Sequence, residues 1–447
     1  MRKFSFLIIV LIFHQAYSPA LAQSAETEEK SKTERSRDAI FHRRPSPSEF
    51  HFLKLKQDSL RAVAKKRAAI SGEKRLQRAS INARKDTVTH LNLSHAGLRE
   101  IPDFVYAYKN LVSLDLSHNR ITSLPKSLNQ LKKLKELSLA SNALNASKLK
   151  IKKIHGIKSL YLQQNDLTKF PSRLTRLKSI VEINLDKNNL SRIPPKLKKY
   201  KNLKTVKLSN NLGLNPGKRS LKKLAHIEIL RINNCGIKTL TKNLYALKNL
   251  RELQLSQNQI KVIPEGIKAL SQLEVLTFYK NQIIALPSGF YELRKLKEVD
   301  LYYNQIDEVA PEIKNLKELK ILYLAFNQLH TLPSELGSLS NLRRLYLHHN
   351  KLTTIPDAFS DLTQLQVLHL NNNYFTDFPY PVLKLTTLLD LDISENEIFE
   401  IPEQILDLEQ LKLLFLHKNP IEAKTADSLQ FQTLMESFRK KGTTVNY

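Results

Sequence analysis

The chain has 447 residues, 71 Lys and Arg against 42 Asp and Glu for a formal net charge of +29, one cysteine and no tryptophan. A single cysteine excludes an intramolecular disulfide, so folding rests on burial, and this length suits one long domain or two or three compact ones. The charge is uneven, about +18 over residues 148–223 and about −5 over residues 331–447, which gives a basic middle and an acidic end.

The N-terminus reads MRKFSFLIIVLIFHQAYSPALAQ. Arg2 and Lys3 precede an apolar run from Phe4 to Phe13, and Ala20-Leu21-Ala22 supplies a small-residue cleavage site. This pattern predicts a secretory signal peptide over residues 1–22 and an exported chain. A lipid anchor would need a cysteine where Gln23 stands. No apolar run reaches the roughly 18 to 20 residues of a membrane-spanning helix, so no transmembrane segment is expected. The lack of disulfide caps points to the bacterial periplasm or a secreted setting.

Residues 23–47 are polar and charged and read as a disordered tether. Over residues 48–87 the composition shifts to Phe, Leu, Val and Ile among many Lys and Arg, which predicts a basic helical N-terminal cap; a membrane-surface helix is the alternative reading.

From residue 88 to 421 one motif recurs: LDLSHNRITSLP, LYLQQNDLTKFP, INLDKNNLSRIP, LQLSQNQIKVIP, LYLAFNQLHTLP and LHLNNNYFTDFP. Its asparagines are Asn119, Asn142, Asn165, Asn188 and Asn211, then Asn258, Asn281, Asn304, Asn327, Asn350, Asn373, Asn396 and Asn419, with 23 residues between neighbours in each group. With the leading copy LNLSHAGLREIP, about 15 copies are present. In L-x-L the apolar residues alternate with polar ones, the signature of a short strand with one buried face, and stacked copies build a parallel sheet. The asparagine follows where the chain turns inward, and its amide can satisfy buried backbone groups there.

The pattern resembles the leucine-rich repeats, in the short 23-residue Leu-Pro form of Ras-suppressor-like and Scribble-like proteins and of many bacterial proteins. The resemblance covers about three quarters of the chain. It implies an α/β fold, a leucine-rich-repeat solenoid with a curved parallel sheet on the concave face and helical end caps.

Cys235 fills the asparagine position, 24 residues after Asn211 and 23 before Asn258. It reads as a rung of the same ladder, a small buried residue with a weak S–H donor, rather than a reactive thiol. The extra residue falls in NNLGLNPGKRSLKKLAH, residues 210–226, where Gly213, Pro216 and Gly217 predict a local bulge. Residues 422–447 are expected to form a C-terminal cap. Phe431, Leu434, Met435 and Phe438 follow helical spacing, Lys440 and Lys441 precede a stop at Gly442, and a last short strand follows.

Residues four and two places before each asparagine fall on the exposed face of the sheet. In early copies they are small or polar, as at Asn92, Ser94, Asp115 and Ser117. Later they include Tyr279, Tyr302, Tyr323, Tyr346, His348, His369 and Phe415, with Tyr303 and Phe326 one place before the asparagine. Aromatic residues that the repeat does not require predict a protein-binding strip, against the alternative that they only stack to stabilise the sheet. A metal site from His348, His369 and Asp392 is conceivable; solvent-facing histidines are more often polar cover, and no metal or other cofactor is expected.

The basic residues Lys132, Lys135, Lys158, Lys178, Lys201, Lys204, Lys248 and Arg251 recur just before the strands. They offer an alternative function, adhesion to an anionic glycan, a membrane surface or a nucleic acid, against a plainly solvated face. No phosphate-binding glycine loop, G-x-S-x-G, H-E-x-x-H or paired-cysteine site is found, and enzyme activity is not expected. The sequence therefore predicts an exported scaffold that binds a protein partner on the concave face of its repeats.

Overall fold

The computed structural model describes residues 47–145, 149, 156–216, 221–421 and 429–447. The predicted signal peptide, the tether up to residue 46 and the start of the C-terminal cap, 422–428, lie outside the described residues. Two units are present, residues 1–78 and 79–447.

The first unit contains most of helix α1 (Pro47–Ile81). From Arg61 onward its side chains are largely exposed, Val63 and Ile70 included, and its apolar residues do not gather on one face. The last turn belongs to the second unit. There Ala79 is buried, and its carbonyl accepts the Tyr108 hydroxyl at 2.7 Å.

The second unit is one parallel sheet of sixteen three-residue strands in chain order. They are β1 (His90–Asn92), β2 (Ser113–Asp115), β3 (Glu136–Ser138), β4 (Ser159–Tyr161), β5 (Glu182–Asn184), β6 (Thr205–Lys207), β7 (Ile229–Arg231) and β8 (Glu252–Gln254). Then follow β9 (Val275–Thr277), β10 (Glu298–Asp300), β11 (Ile321–Tyr323), β12 (Arg344–Tyr346), β13 (Val367–His369), β14 (Asp390–Asp392), β15 (Leu413–Phe415) and β16 (Thr444–Asn446). Each of the first fifteen belongs to one copy of the motif. The central residue of each strand from β2 to β15 is buried in the core, as is the Leu, Ile or Phe two places further on; Leu114, Leu116, Leu345 and Leu347 are fully buried. Short 3-10 turns, such as Glu265–Ala269 after Pro264, return the chain on the convex side. Proline before these turns fixes φ and keeps them from growing into long helices.

The asparagines close the core at each turn. The Asn281 amide donates to the carbonyls of Leu255 (3.0 Å) and Phe278 (2.9 Å), and its Oδ1 accepts the Ile260 N–H (3.1 Å). The same bonds recur at Asn304 and Asn327, so each amide ties its own turn to the preceding repeat. The residue before the asparagine position has positive φ in every repeat, from His95 (58°) to Lys418 (58°).

The two irregularities of the repeat are one local arrangement. In regular copies the N–H two residues past the asparagine meets the next asparagine's Oδ1, as Leu190 meets Asn211 at 3.0 Å. Cys235 has no such oxygen. Gly213, at φ 81°, instead turns its N–H to the Cys235 backbone carbonyl at 3.1 Å. The thiol meets the carbonyls of Leu208 and Asn233, both at 3.3 Å, and burial pushes it up to about 11. The sheet is unbroken here, with Thr205 paired to Ile229 across the 24-residue step, so the extra residue is absorbed outside the strands.

At the C-terminal end, helix α2 (Leu429–Lys440) buries Phe431, Leu434, Met435 and Phe438. Gly442 takes φ 74° as the helix ends, and β16 pairs with β15.

Candidate functional site

Strand register puts equivalent residues of successive repeats side by side. Asp300, Tyr323, Tyr346, His369, Asp392 and Phe415 form one row across β10 to β15. In it the Tyr323 and Tyr346 rings stack with centroids 4.8 Å apart and planes 7° apart, and His369 meets Tyr346 edge-on at 5.0 Å. Asp392 ends the aromatic run, which separates Phe415 from the other rings.

A second row holds Tyr279, Tyr302, Ala325 and His348. Tyr279 and Tyr302 are 6.0 Å apart. Ala325 is fully buried and presents only a methyl group, and above it the Tyr302 hydroxyl reaches His348 Nε2 at 2.7 Å. A third row carries the positive-φ residues. Tyr303 stacks on Phe326 at 4.1 Å and Phe326 on His349 at 3.9 Å, while the Lys280 ammonium sits 4.9 Å from the Tyr303 ring centre. Tyr302 and Phe326, 5.2 Å apart, join the second and third rows. Tyr279, Tyr302, Tyr303, Tyr323, Phe326, Tyr346 and His369 are thus gathered into one half-buried platform, with His348 buried beneath it.

Sequence arithmetic missed a third outward position, the first residue of each strand. It brings Glu298, Arg344 and Asp390 to the same face. Asp390 Oδ1 lies 3.5 Å from His369 Nε2. Burial, then the charge of Glu298, pushes the Asp300 carboxyl up to about 6 although it accepts the Tyr302 N–H. Burial also raises Asp392, opposed by the nearby His369 and by two hydrogen bonds from Ser394. The signal was available, since strands of period two expose both flanking residues, but only one of them was counted. Tyr161 on β4 is a further exposed-face aromatic, remote from the strip. Among the described residues no group of three His, Cys, Asp or Glu side chains is placed to hold a metal ion.

The eight basic residues fall in two columns. Lys135, Lys158, Lys204 and Arg251 immediately precede strands, while Lys132, Lys178, Lys201 and Lys248 lie three residues earlier. The first column is interrupted by acids of the same register: Lys204 pairs with Glu228 at 2.7 Å and Arg251 with Glu274 at 3.5 Å.

A solenoid of stacked parallel strands joined by 3-10 turns, sealed by an asparagine ladder, defines the leucine-rich-repeat class. The leucine-rich-repeat family model matches residues 86–144, 248–306 and 317–375. Among solved structures, a leucine-rich-repeat protein of Leptospira interrogans is 27% identical with a TM-score of 0.69, covering 83% of this chain and 98% of that one. An internalin of Listeria monocytogenes is 22% identical with a TM-score of 0.53, covering 85% and 93%. The functional domain of Listeria monocytogenes InlJ, which includes a cysteine ladder, is 18% identical with a TM-score of 0.55, covering 75% and 69%. No curated protein matches the sequence. The chain is a leucine-rich-repeat protein resembling those of bacteria. Such proteins generally serve as non-enzymatic scaffolds for protein interaction.

Proposed function

We propose that this chain is an exported, non-enzymatic scaffold that captures a protein partner on the exposed face of β9 to β13. The carrying observation is the platform itself, with Tyr279, Tyr302, Tyr303, Tyr323, Phe326 and Tyr346 on adjoining repeats, none fully buried. Large rings held by one another offer contact area at small loss of rotamer freedom, the economy that interface hot spots exploit. The stacking also stabilises the sheet, and the two roles are compatible: a ring fixed from the side still presents its other surfaces to a partner.

Export rests on the sequence of residues 1–22, and N-terminal sequencing of the exported product should begin at Gln23. Partner capture is tested by Tyr323→Ala combined with Tyr346→Ala, which removes the stacked pair at the centre of the strip. Retention of the partner by a folded double variant would refute the assignment.

A further inference from the structure

The basic middle of the chain separates in three dimensions into two surfaces with different electrostatics. No acidic residue lies between Asp186 and Glu228, while twelve basic ones do. On the sheet side of this segment, acids of neighbouring repeats answer the charge: Lys207 pairs with Glu182 and Lys204 with Glu228, each at 2.7 Å. On the convex side the return turns carry no acids of their own. The return turns Ser172–Arg176, Pro195–Lys199 and Leu221–Leu224 contain no acidic residue, and their Arg173, Arg176, Lys196, Lys198, Lys199, Lys222 and Lys223 are exposed. Acids occupy return turns on either side of this segment, at Asp103 before it and at Glu265 and Glu312 after it.

The crowding is close enough to be felt. Lys198 lies within hydrogen-bonding reach of Lys223, and this contact and the Lys223 charge hold its pKa below the usual lysine range. Like charges packed this way on adjacent turns gain from a dense array of anions. The surface also restricts what that array can be. The two aromatic residues beside these turns, Phe170 and Tyr200, are buried edge to face in the core, so no ring is offered for stacking bases. Seven side chains on three successive turns bulge outward, a form that rests on a plane and does not enclose a strand.

We propose that the convex face of these three turns docks on an anionic phospholipid surface, its lysines and arginines meeting the headgroup phosphates, so that the aromatic strip on the opposite face stays free. Among the described residues no helix is long and apolar enough to cross a membrane, so the attachment is electrostatic and peripheral.

The experiment is cosedimentation of the full chain with phosphatidylcholine vesicles containing phosphatidylglycerol, with pure phosphatidylcholine as reference. The variant Lys198→Glu/Lys199→Glu/Lys222→Glu/Lys223→Glu is compared with the charge-matched Lys135→Glu/Lys158→Glu/Lys204→Glu/Lys320→Glu on the strand flank. Binding to the anionic vesicles, falling by more than about tenfold in the convex variant and by no more than about twofold in the flank variant, is the expected result. Equal losses in both variants would reduce the effect to net charge and overturn the assignment, as would equal binding to neutral vesicles. A DNA duplex that binds more tightly than the vesicles and is released by the same convex variant would also overturn it, and reassign the surface to nucleic acid. Matching melting curves of the two variants exclude unfolding as the cause of any loss.

Discussion

The hydroxyl of Tyr302 and Nε2 of His348 are joined at 2.7 Å across an intervening strand, over the methyl group of Ala325. The contact links residues 46 apart in sequence and sets the floor of the aromatic platform. It exists because one repeat carries alanine where its neighbours carry tyrosine and histidine. Ala325→Leu therefore forces the two rings apart in a fully packed position. The expected loss is about 1–3 kcal/mol of unfolding free energy. Tyr302→Phe, which removes only the hydroxyl, should cost about 0.5–1.5 kcal/mol. Denaturant titration of the three proteins checks both, and an Ala325→Leu variant as stable as the parent would show that the site has unused space.

The asparagine ladder predicts a position-independent penalty in the middle of the solenoid. Asn304→Ala strands the buried Ile283 N–H and takes one of two amide donors from the carbonyls of Phe278 and Leu301, which keep those of Asn281 and Asn327. With one buried N–H left unsatisfied and two further bonds removed, the expected loss is about 2–4 kcal/mol. Asn327→Ala should match it to within about 0.5 kcal/mol, because its bonds are the same.

Cys235 should be chemically silent. Burial raises its thiol to about 11, so few thiolates exist at pH 8 and none is reachable. A disulfide exchange reagent is expected to detect no thiol in the native chain and one after unfolding. Cys235→Asn should not stabilise the chain, because the N–H that an Oδ1 would accept, that of Gly213, is already bonded to the residue 235 carbonyl. Gly213→Ala should lose about 1–2 kcal/mol through its left-handed backbone.

Acid should help the fold locally. Asp186 and Asp300 are both pushed up to about 6, chiefly by burial. Their unfolded value is about 3.9, so from about pH 4 to 6 the folded chain holds more protons than the unfolded one. Their contribution to stability therefore rises as pH falls through that window. The double variant Asp186→Asn/Asp300→Asn keeps the hydrogen bonds their side chains accept from Ser209 and Tyr302. It should be more stable than the parent at pH 7.5, with the difference vanishing towards pH 4. Thermal melts at several pH values measure this.

Much of this architecture is legible in the period alone. A 23-residue step with paired leucines before an asparagine determines strand, buried face and turn, because only one register lets every copy bury the same side chains. What escapes is whatever depends on two repeats at once. The ion pairs of Lys204 with Glu228 and Lys207 with Glu182 join residues 24 and 25 apart, and no single copy of the motif displays them. The same holds for the gap above Ala325 and for the bond from Gly213 to Cys235. The strip itself is visible in the spacing as a run of aromatics with Asp392 between His369 and Phe415; what the strands add is which of its rings touch.

The most direct test of the central claim immobilises the mature chain and its Tyr323→Ala/Tyr346→Ala variant and exposes both to envelope and medium of the source organism, washing at low and then high salt. The account predicts a discrete protein that survives high salt on the parent and is lost from the variant, a weakening of at least about thirtyfold, since two hot-spot rings are removed. Equal retention by parent and variant, or retention of nothing but acidic polymers that salt releases, would contradict it.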